Sequence, residues 1–271
     1  GSLVSEYHPP PSDAVSSTAS AAAAPGDETP AAAVLRTLRR MELFGVVSVL
    51  VSILLSEGRR GGGQPSAQAP KLPQTVTSLS VQAVRILNQV ARIDLTTLQQ
   101  TLGACRQQEL YHLLLCLFEY CSSRLHGASK VPAGQAQDET ELLHEIIVLL
   151  GHYCLQRSEN QGIMCYGEGQ TLLAKITSLP LHYFMDERGR AVLFPTILAT
   201  CYGSQQNLEC LRNEMNLSLL QKYLTAQLAQ RAAPDAAASS AGGRFPLALC
   251  QDALAFFSDS PPPASAPPGS S

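Results

Sequence analysis

Between residues 76 and 125 the apolar side chains recur three and four positions apart instead of on every second residue, which predicts helices in place of strands. The segment 76–92 places Leu79, Ala83, Ile86, Leu87 and Val90 on one face. Asp94 then caps a short helix that runs to Leu102 and is ended by Gly103. In 107–125 the residues Leu110, Leu113, Leu114, Leu117, Phe118 and Cys121 cover a wide arc. Asp138 or Thr140 opens the next helix, expected to reach about Gln156; its interior, LLHEIIVLLGHYCL, is apolar nearly all round and so predicts neighbours on most sides. Pro195, inside RAVLFPTILAT, predicts a kink or a first helical turn, and Leu179-Pro180 ends the helix before it. A last amphipathic stretch, RFPLALCQDALAFF (Arg244–Phe257), reads as a cap over the open end of the helices.

The apolar run from Met41 to Leu55 is also helical in pattern. It holds Glu42, Ser48 and Ser52 and falls short of the roughly 20 apolar residues that a membrane span needs. It is expected to be a core helix, in spite of Arg39, Arg40, Arg59 and Arg60 around it, and no membrane insertion is expected of the domain.

Stretches rich in Pro, Gly, Ser and Ala lack this periodicity and divide the chain. They give a flexible N-terminal segment 1–33, helical units over 34–230 with loops at 57–73 and 126–137, a linker 231–243, the capping helix 244–257 and a disordered tail 258–271. Within the helical part the segment from Leu150 to Leu179 resembles the one from Ile197 onward at an offset of 47 residues. Cys154 falls on Cys201, Asn160 on Asn207, Leu172-Leu173 on Leu219-Leu220 and Lys175 on Lys222. Each copy reads as a long apolar helix, a short helix beginning near Ser158 or Ser204, and a third helix; a looser copy precedes them around Asp94. Units of about 40–47 residues with two or three helices are the pattern of armadillo and HEAT repeats. The expected fold is therefore all-α, an armadillo/HEAT-like helical repeat or α-solenoid, in which stacking buries faces that no unit can bury alone.

Composition narrows the chemistry. Hydrophobic residues make up 45% and charged residues 15% of the 271, as in a packed helical interior, and the net charge of −3 argues against a large nucleic-acid footprint. The eight Cys lie mostly in apolar helical patterns of a chain long enough to need no staples, so they are read as reduced core thiols, in the cytosol or nucleus. His112, Cys116 and Cys121 share a helix without a second ligand pair, and His144 and His152 lie on an apolar helix. Packing is the preferred reading of both groups, and no metal or cofactor is expected. There is no G-x-S-x-G elbow and no phosphate-binding P-loop; Gly167-Glu168-Gly169-Gln170-Thr171 reads as a turn between helices. No catalytic constellation stands out, although a reactive thiol at Cys154 beside His144 and His152 would revive one.

Two clusters are candidate binding surface. One is 181–190, with His182, Tyr183, Arg188 and Arg190 in a loop between the two clearest units; its arginines suit phosphate or carboxylate, while Tyr183 and Phe184 would otherwise tuck inward. The other is Arg36, Arg39 and Arg40 beside the first helix.

Three segments carry a family resemblance: ELLHEIIVLLGHYCLQRSENQ (141–161), LPLHYFMDERGRAVLFPTILATCYGSQQN (179–207) and RFPLALCQDALAFF (244–257). Over roughly 140–228 and 244–257 the chain resembles the C-terminal domain of the family of S-phase cyclin A-associated proteins of the endoplasmic reticulum, while before residue 130 it shares only helical character. The resemblance implies a non-catalytic scaffold or adaptor on the cytosolic side of the endoplasmic reticulum. Such a domain would link a tetratricopeptide-repeat protein on ribosomes to a deadenylase complex in tubulin messenger RNA decay, with cyclin A as a further partner. The alternatives are a ribosome- or RNA-contacting module that uses the arginine clusters, or a cyclin-binding cell-cycle regulator. Generic armadillo proteins hold extended peptides with a ladder of Asn; here Gly151-His152-Tyr153 and Leu198-Ala199-Thr200 stand at the corresponding places, so folded partners are expected, bound by a monomer.

Overall fold

A computed structural model describes residues 33, 45, 49–50, 52–53, 72–103, 107–126, 133–167, 171–232 and 244–258. The helices are α1 (Gln74–Ile93), α2 (Leu95–Gly103), α3 (Gln107–His126), α4 (Ala133–Cys154) and α5 (Ser158–Gln161), which runs on as a 3-10 turn, Gly162–Cys165. After them come α6 (Leu172–Thr177), α7 (His182–Met185), α8 (Glu187–Cys201), α9 (Gln205–Glu214) and α10 (Ser218–Ala232). A second 3-10 turn, Leu247–Leu249, leads into α11 (Cys250–Ser258). No strand occurs among the described residues.

Helix α4 is the axis of the molecule. Its apolar girdle, with Leu142, Leu143, Ile146, Ile147, Leu150 and Tyr153 all buried, lets α1, α3 and α8 pack against it on different sides. Each buried Leu or Ile contributes about 1.5–3 kcal/mol. Several of the polar groups that enter this packing are paired, while the Tyr153 hydroxyl and His152 Nε2 are buried without a partner among the described residues. Arg85 of α1 meets Glu141 and Glu145 of α4, and Asn88 Nδ2 donates to Glu145 Oε2 at 2.7 Å. The buried Glu139 accepts from the Tyr120 hydroxyl at 2.8 Å and from Arg124 at 3.2 Å.

Several expectations change. Helix α4 begins at Ala133, inside the expected loop 126–137, because Ala, Gly and Gln there are followed by a helix-favouring AQDETE run that lets the helix propagate backwards. Leu79 and Ile86 do not face the core but are 48% and 46% exposed, while Val81 and Val84 are buried in their place. With Thr77, Ser80 and Asn88 also buried, the inward arc of α1 is rotated toward polar positions that find partners. The 181–190 segment is not a loop, since it forms α7 and the first turn of α8. Of the predicted helix 41–55, Gly45, Val49, Leu50, Ser52 and Ile53 are described and are helical, and Leu50 is buried in the common core. The other residues of 41–55, and nearly all of segments 1–33, 57–73, 231–243 and 258–271, lie outside the described residues.

The 47-residue correspondence reappears in hydrogen bonds at the helix ends. Asn160 Nδ2 donates to the Tyr153 carbonyl at 2.9 Å, and Asn207 Nδ2 to the Thr200 carbonyl at 2.7 Å. Gln99, from α2, donates to the His152 and Leu155 carbonyls at the end of α4, both at 2.8 Å. Gln161, from α5, does the same for Ala199 and Tyr202 at the end of α8, at 3.0 and 2.9 Å. The chain then turns through a positive φ in each copy, at Gln156 (54°) and at Gly203 (82°), a conformation for which glycine carries no Cβ penalty.

Pro195 lies well inside α8 and neither starts nor ends it. Lacking an N–H, it leaves the Ala191 carbonyl without its intrahelical donor. The guanidinium of Arg244 takes that place: Nη2 donates to Ala191 O at 2.7 Å and also to Val192 O, and Nη1 donates to the Thr196 hydroxyl at 3.1 Å. The Thr196 hydroxyl in turn donates to Ile147 O of α4 at 2.8 Å. The C-terminal segment is fixed by this arginine, by the edge-on packing of Phe245 and Phe256 on Tyr202, and by Gln221 Nε2 donating to Phe257 O at 3.0 Å.

Arg244→Met is expected to cost about 1.5–3 kcal/mol, the worth of charge-assisted bonds among which that to Ala191 O has no helical donor to replace it, and Arg244→Lys less; urea denaturation measures both. Asn207→Ala is expected to cost about 1–3 kcal/mol by the same measurement, because two backbone carbonyls, Thr200 and Gln161, lose their donor together.

Candidate functional site

Helix α7 is a single turn set against the start of α8. The two come close because residue 189 is glycine: a Cβ there would stand 2.6 Å from Tyr183 Cα and 2.8 Å from the His182 carbonyl oxygen. This approach divides the candidate residues between core and surface. Tyr183 is 1% exposed, so it presents no binding surface; its hydroxyl is hydrogen-bonded to His144 Nε2 of α4 at 2.9 Å. Phe184 is also turned inward, with its ring 6.4 Å from that of Phe194. His182 remains outside, its ring 4.5 Å from the Tyr183 ring. Arg188 is exposed and Arg190 half-buried, and neither forms an ion pair among the described residues. Arg36, Arg39 and Arg40 lie outside the described residues.

Residues that the sequence pattern passed over complete the surface around Arg190. Helix α10 lies beside the start of α8, and between them runs a groove of about 290 Å³ with Phe184, Phe194, Leu219 and Tyr223 on its apolar part and Arg190 and Lys222 on its rim. Tyr223 stands edge-on to Phe194 at 5.2 Å, and burial raises its phenol pKa, opposed chiefly by the Arg244 cation and less by Arg190. Of these, the sequence marked Arg190 as candidate surface and Leu219 and Lys222 only as repeat positions.

The groups suspected of chemistry are packed away. The Cys154 thiol is fully buried and its pKa is raised by desolvation, and that of Cys201 is pushed up to about 12 for the same reason. Their contacts are long, Cys154 to Asn160 O at 3.7 Å, and Cys201 to Asn207 O at 3.9 Å and to the Thr200 hydroxyl at 3.7 Å. Burial lowers the pKa of His144, and it lowers that of His152 to about 4, with the Arg244 and Arg92 cations acting in the same direction. Cys116 departs from the expected core role, since it points outward from α3. Among the described residues no three His, Cys, Asp or Glu converge as a metal site. Gly167 and Thr171 flank the expected glycine turn, where Thr171 caps α6 by accepting from Ala174 N at 3.1 Å; residues 168–170 lie outside the described set. Asn216 Oδ1 accepts from Ser218 N at 2.9 Å and so opens α10. No described helix is long and apolar enough to cross a membrane.

No protein-family model matches the chain. Against curated proteins it is 32% identical over 189 residues to the "S phase cyclin A-associated protein in the endoplasmic reticulum" of Homo sapiens. The match takes in 69% of this chain and 12% of that much longer protein. A match of that length cannot be held within 140–257, so it reaches into the helices before residue 130, where the sequence showed only shared helical character.

The depressed His152 pKa fixes a pH dependence. The unfolded chain binds a proton near the ordinary histidine value of about 6.5. The folded chain resists that proton down to about 4. The stability His152 supports is therefore present above about pH 6.5 and lost as the pH falls toward 4, a change on the order of 1–2 kcal/mol at a ring not wholly shielded from solvent. Urea midpoints at pH 7.5 and pH 5 are expected to differ in that direction, and His152→Gln to reduce the difference. Iodoacetamide labelling read by mass spectrometry is expected to leave Cys121, Cys154 and Cys201 unmodified in the native protein and to modify them after unfolding.

Proposed function

We propose, from the premise that this chain is a divergent homologue of a part of the cyclin A-associated protein, that it is a non-catalytic adaptor module whose helical units stack as an armadillo/HEAT-like α-solenoid. The observation that carries the proposal is the extent of the match, 69% of the chain, laid over a fold in which helix-end carbonyls at corresponding places of the two units receive the same kinds of buried amide bond. A stack held in this way keeps its shape while helix ends and short connecting helices stay open to partners, which suits the holding of other proteins.

In its finer form the proposal is that the domain links a tetratricopeptide-repeat protein on ribosomes making tubulin to a deadenylase complex, so that the messenger RNA decays. It would act as a monomer in the cytoplasm, at the cytosolic face of the endoplasmic reticulum, and cyclin A is a further candidate partner because the relative's name records that association. The exposed Arg188 and the half-buried Arg190, both without ion-pair partners among the described residues, favour a second reading, direct contact with ribosomal RNA.

Affinity capture from cytosolic lysate with the full chain as bait, at low and at moderate salt, tests these readings. Retention of a tetratricopeptide-repeat adaptor, deadenylase subunits or cyclin A at moderate salt is the expected result. Recovery of ribosomes that is lost on raising the salt would shift the weight to the arginines. Recovery of none of these proteins at either salt would remove the adaptor assignment.

A further inference from the structure

The groove between α8 and α10 has the makings of a docking site of defined chemistry. Three rings line it as a partly open set: Phe184 to Phe194 at 6.4 Å between centroids and Phe194 to Tyr223 at 5.2 Å, with the two phenylalanines themselves held in the core. Its volume of about 290 Å³ lies at the bottom of the range of small-ligand pockets, roughly 300–1,000 Å³, so it takes one or two bulky side chains. The rim carries Arg190 and Lys222, neither of which has an ion pair among the described residues. Elsewhere Arg85 pairs with Glu141 and Glu145, Arg124 with Glu139 and Lys175 with Glu119, while the buried Arg244 is held by backbone carbonyls and a hydroxyl. Two unpaired cations beside the half-buried Leu219 and Tyr223 complement an apolar anchor flanked by carboxylates. Phosphate-rich ligands fit less well, because the Glu187 carboxylate lines the same groove.

We infer that this groove binds a short acidic segment of a partner protein, with a Phe or Leu seated against Leu219 and Tyr223 and flanking Asp or Glu side chains paired with Arg190 and Lys222. The inference rests on the adaptor proposal and gives it a chemical address. It also divides the 181–190 cluster: Arg190 belongs to the site, while Arg188 does not line it.

The test pans the full chain against a display library of random twelve-residue peptides, in parallel with Ala226→Trp, which fills the groove from an exposed position on α10. The best enriched peptide is then synthesised with a fluorophore and titrated by fluorescence polarisation. Peptides with acidic residues around Phe or Leu are expected to be enriched on the native chain and not on Ala226→Trp. The Arg190→Glu/Lys222→Glu pair is expected to weaken the synthetic peptide at least about tenfold, the milder Lys222→Gln only a few-fold, and Arg188→Glu hardly at all. Urea midpoints show that each variant is folded. The inference is overturned if no peptide is enriched, if enrichment is equal on Ala226→Trp, or if the enriched peptides are neutral or basic. It is also overturned if oligouridine RNA, not peptide, is the ligand that loses binding on charge reversal. In the lysate capture, partners retained equally by native chain and Ala226→Trp would sink the groove alone, and partners absent from both would sink the adaptor proposal.

Discussion

A helix that ends inside a protein carries carbonyl groups with no donor of their own, and each one left bare is costly. The whole arrangement rests on how this constraint is met. The long helices α4 and α8 both end in the core, and in each the last carbonyls are bridged by a buried glutamine from the preceding short helix, with a buried asparagine from the following one. Asn207 joins the two sets, since it also donates to the Gln161 carbonyl at 3.0 Å. The hydrophobic contact between successive helices is non-directional, and these amides supply the direction. They fix how far each helix extends and where the next must begin.

The same rule explains the C-terminal segment. Pro195 creates a bare carbonyl in the middle of α8, and the donor that serves it comes from a residue nearly fifty positions later. Arg244 thus does more than pack. Burial lowers its pKa to about 10, which still leaves it a cation, and through Thr196 its contact reaches α4. The proline and the arginine make one device, in which a defect in one element becomes the attachment point for another. Because α8 is held along its length by α4 on one side and Arg244 on another, its first turn offers a fixed edge beside α10 rather than a pliable one.

This division of labour shapes the functional reading. Titratable groups in the interior are shifted away from the values that proton transfer or thiol attack near neutral pH would use: the histidines downward, the cysteines and Tyr153 upward, in each case chiefly by desolvation. Arg190 and Lys222, without carboxylate partners among the described residues, stand instead at the start of α8 and on α10. Structure therefore concentrates potential recognition where Arg190, Lys222 and the aromatic rings meet, and surrounds the core histidines with packing.

Sequence by itself determined the helical class, the positions of most helices and the offset between the two clearest units, because all of these follow from local periodicity, capping residues such as Asp94 and identities such as Cys154 with Cys201. It also indicated the family relationship from segments that include Gln161 and Asn207, without revealing what those side chains do. Tertiary structure alone decided which arc of α1 turns inward, since Leu79 and Ile86 fit the apolar face of a helix as well as Val81 and Val84 do, and only the position of α4 separates them. It likewise moved Tyr183 from candidate surface to core, set Arg244 on the carbonyl freed by Pro195, and brought Lys222 to Arg190. Such pairings join residues tens of positions apart. They depend on the angles and distances between packed helices, which a repeating pattern of polar and apolar residues leaves open.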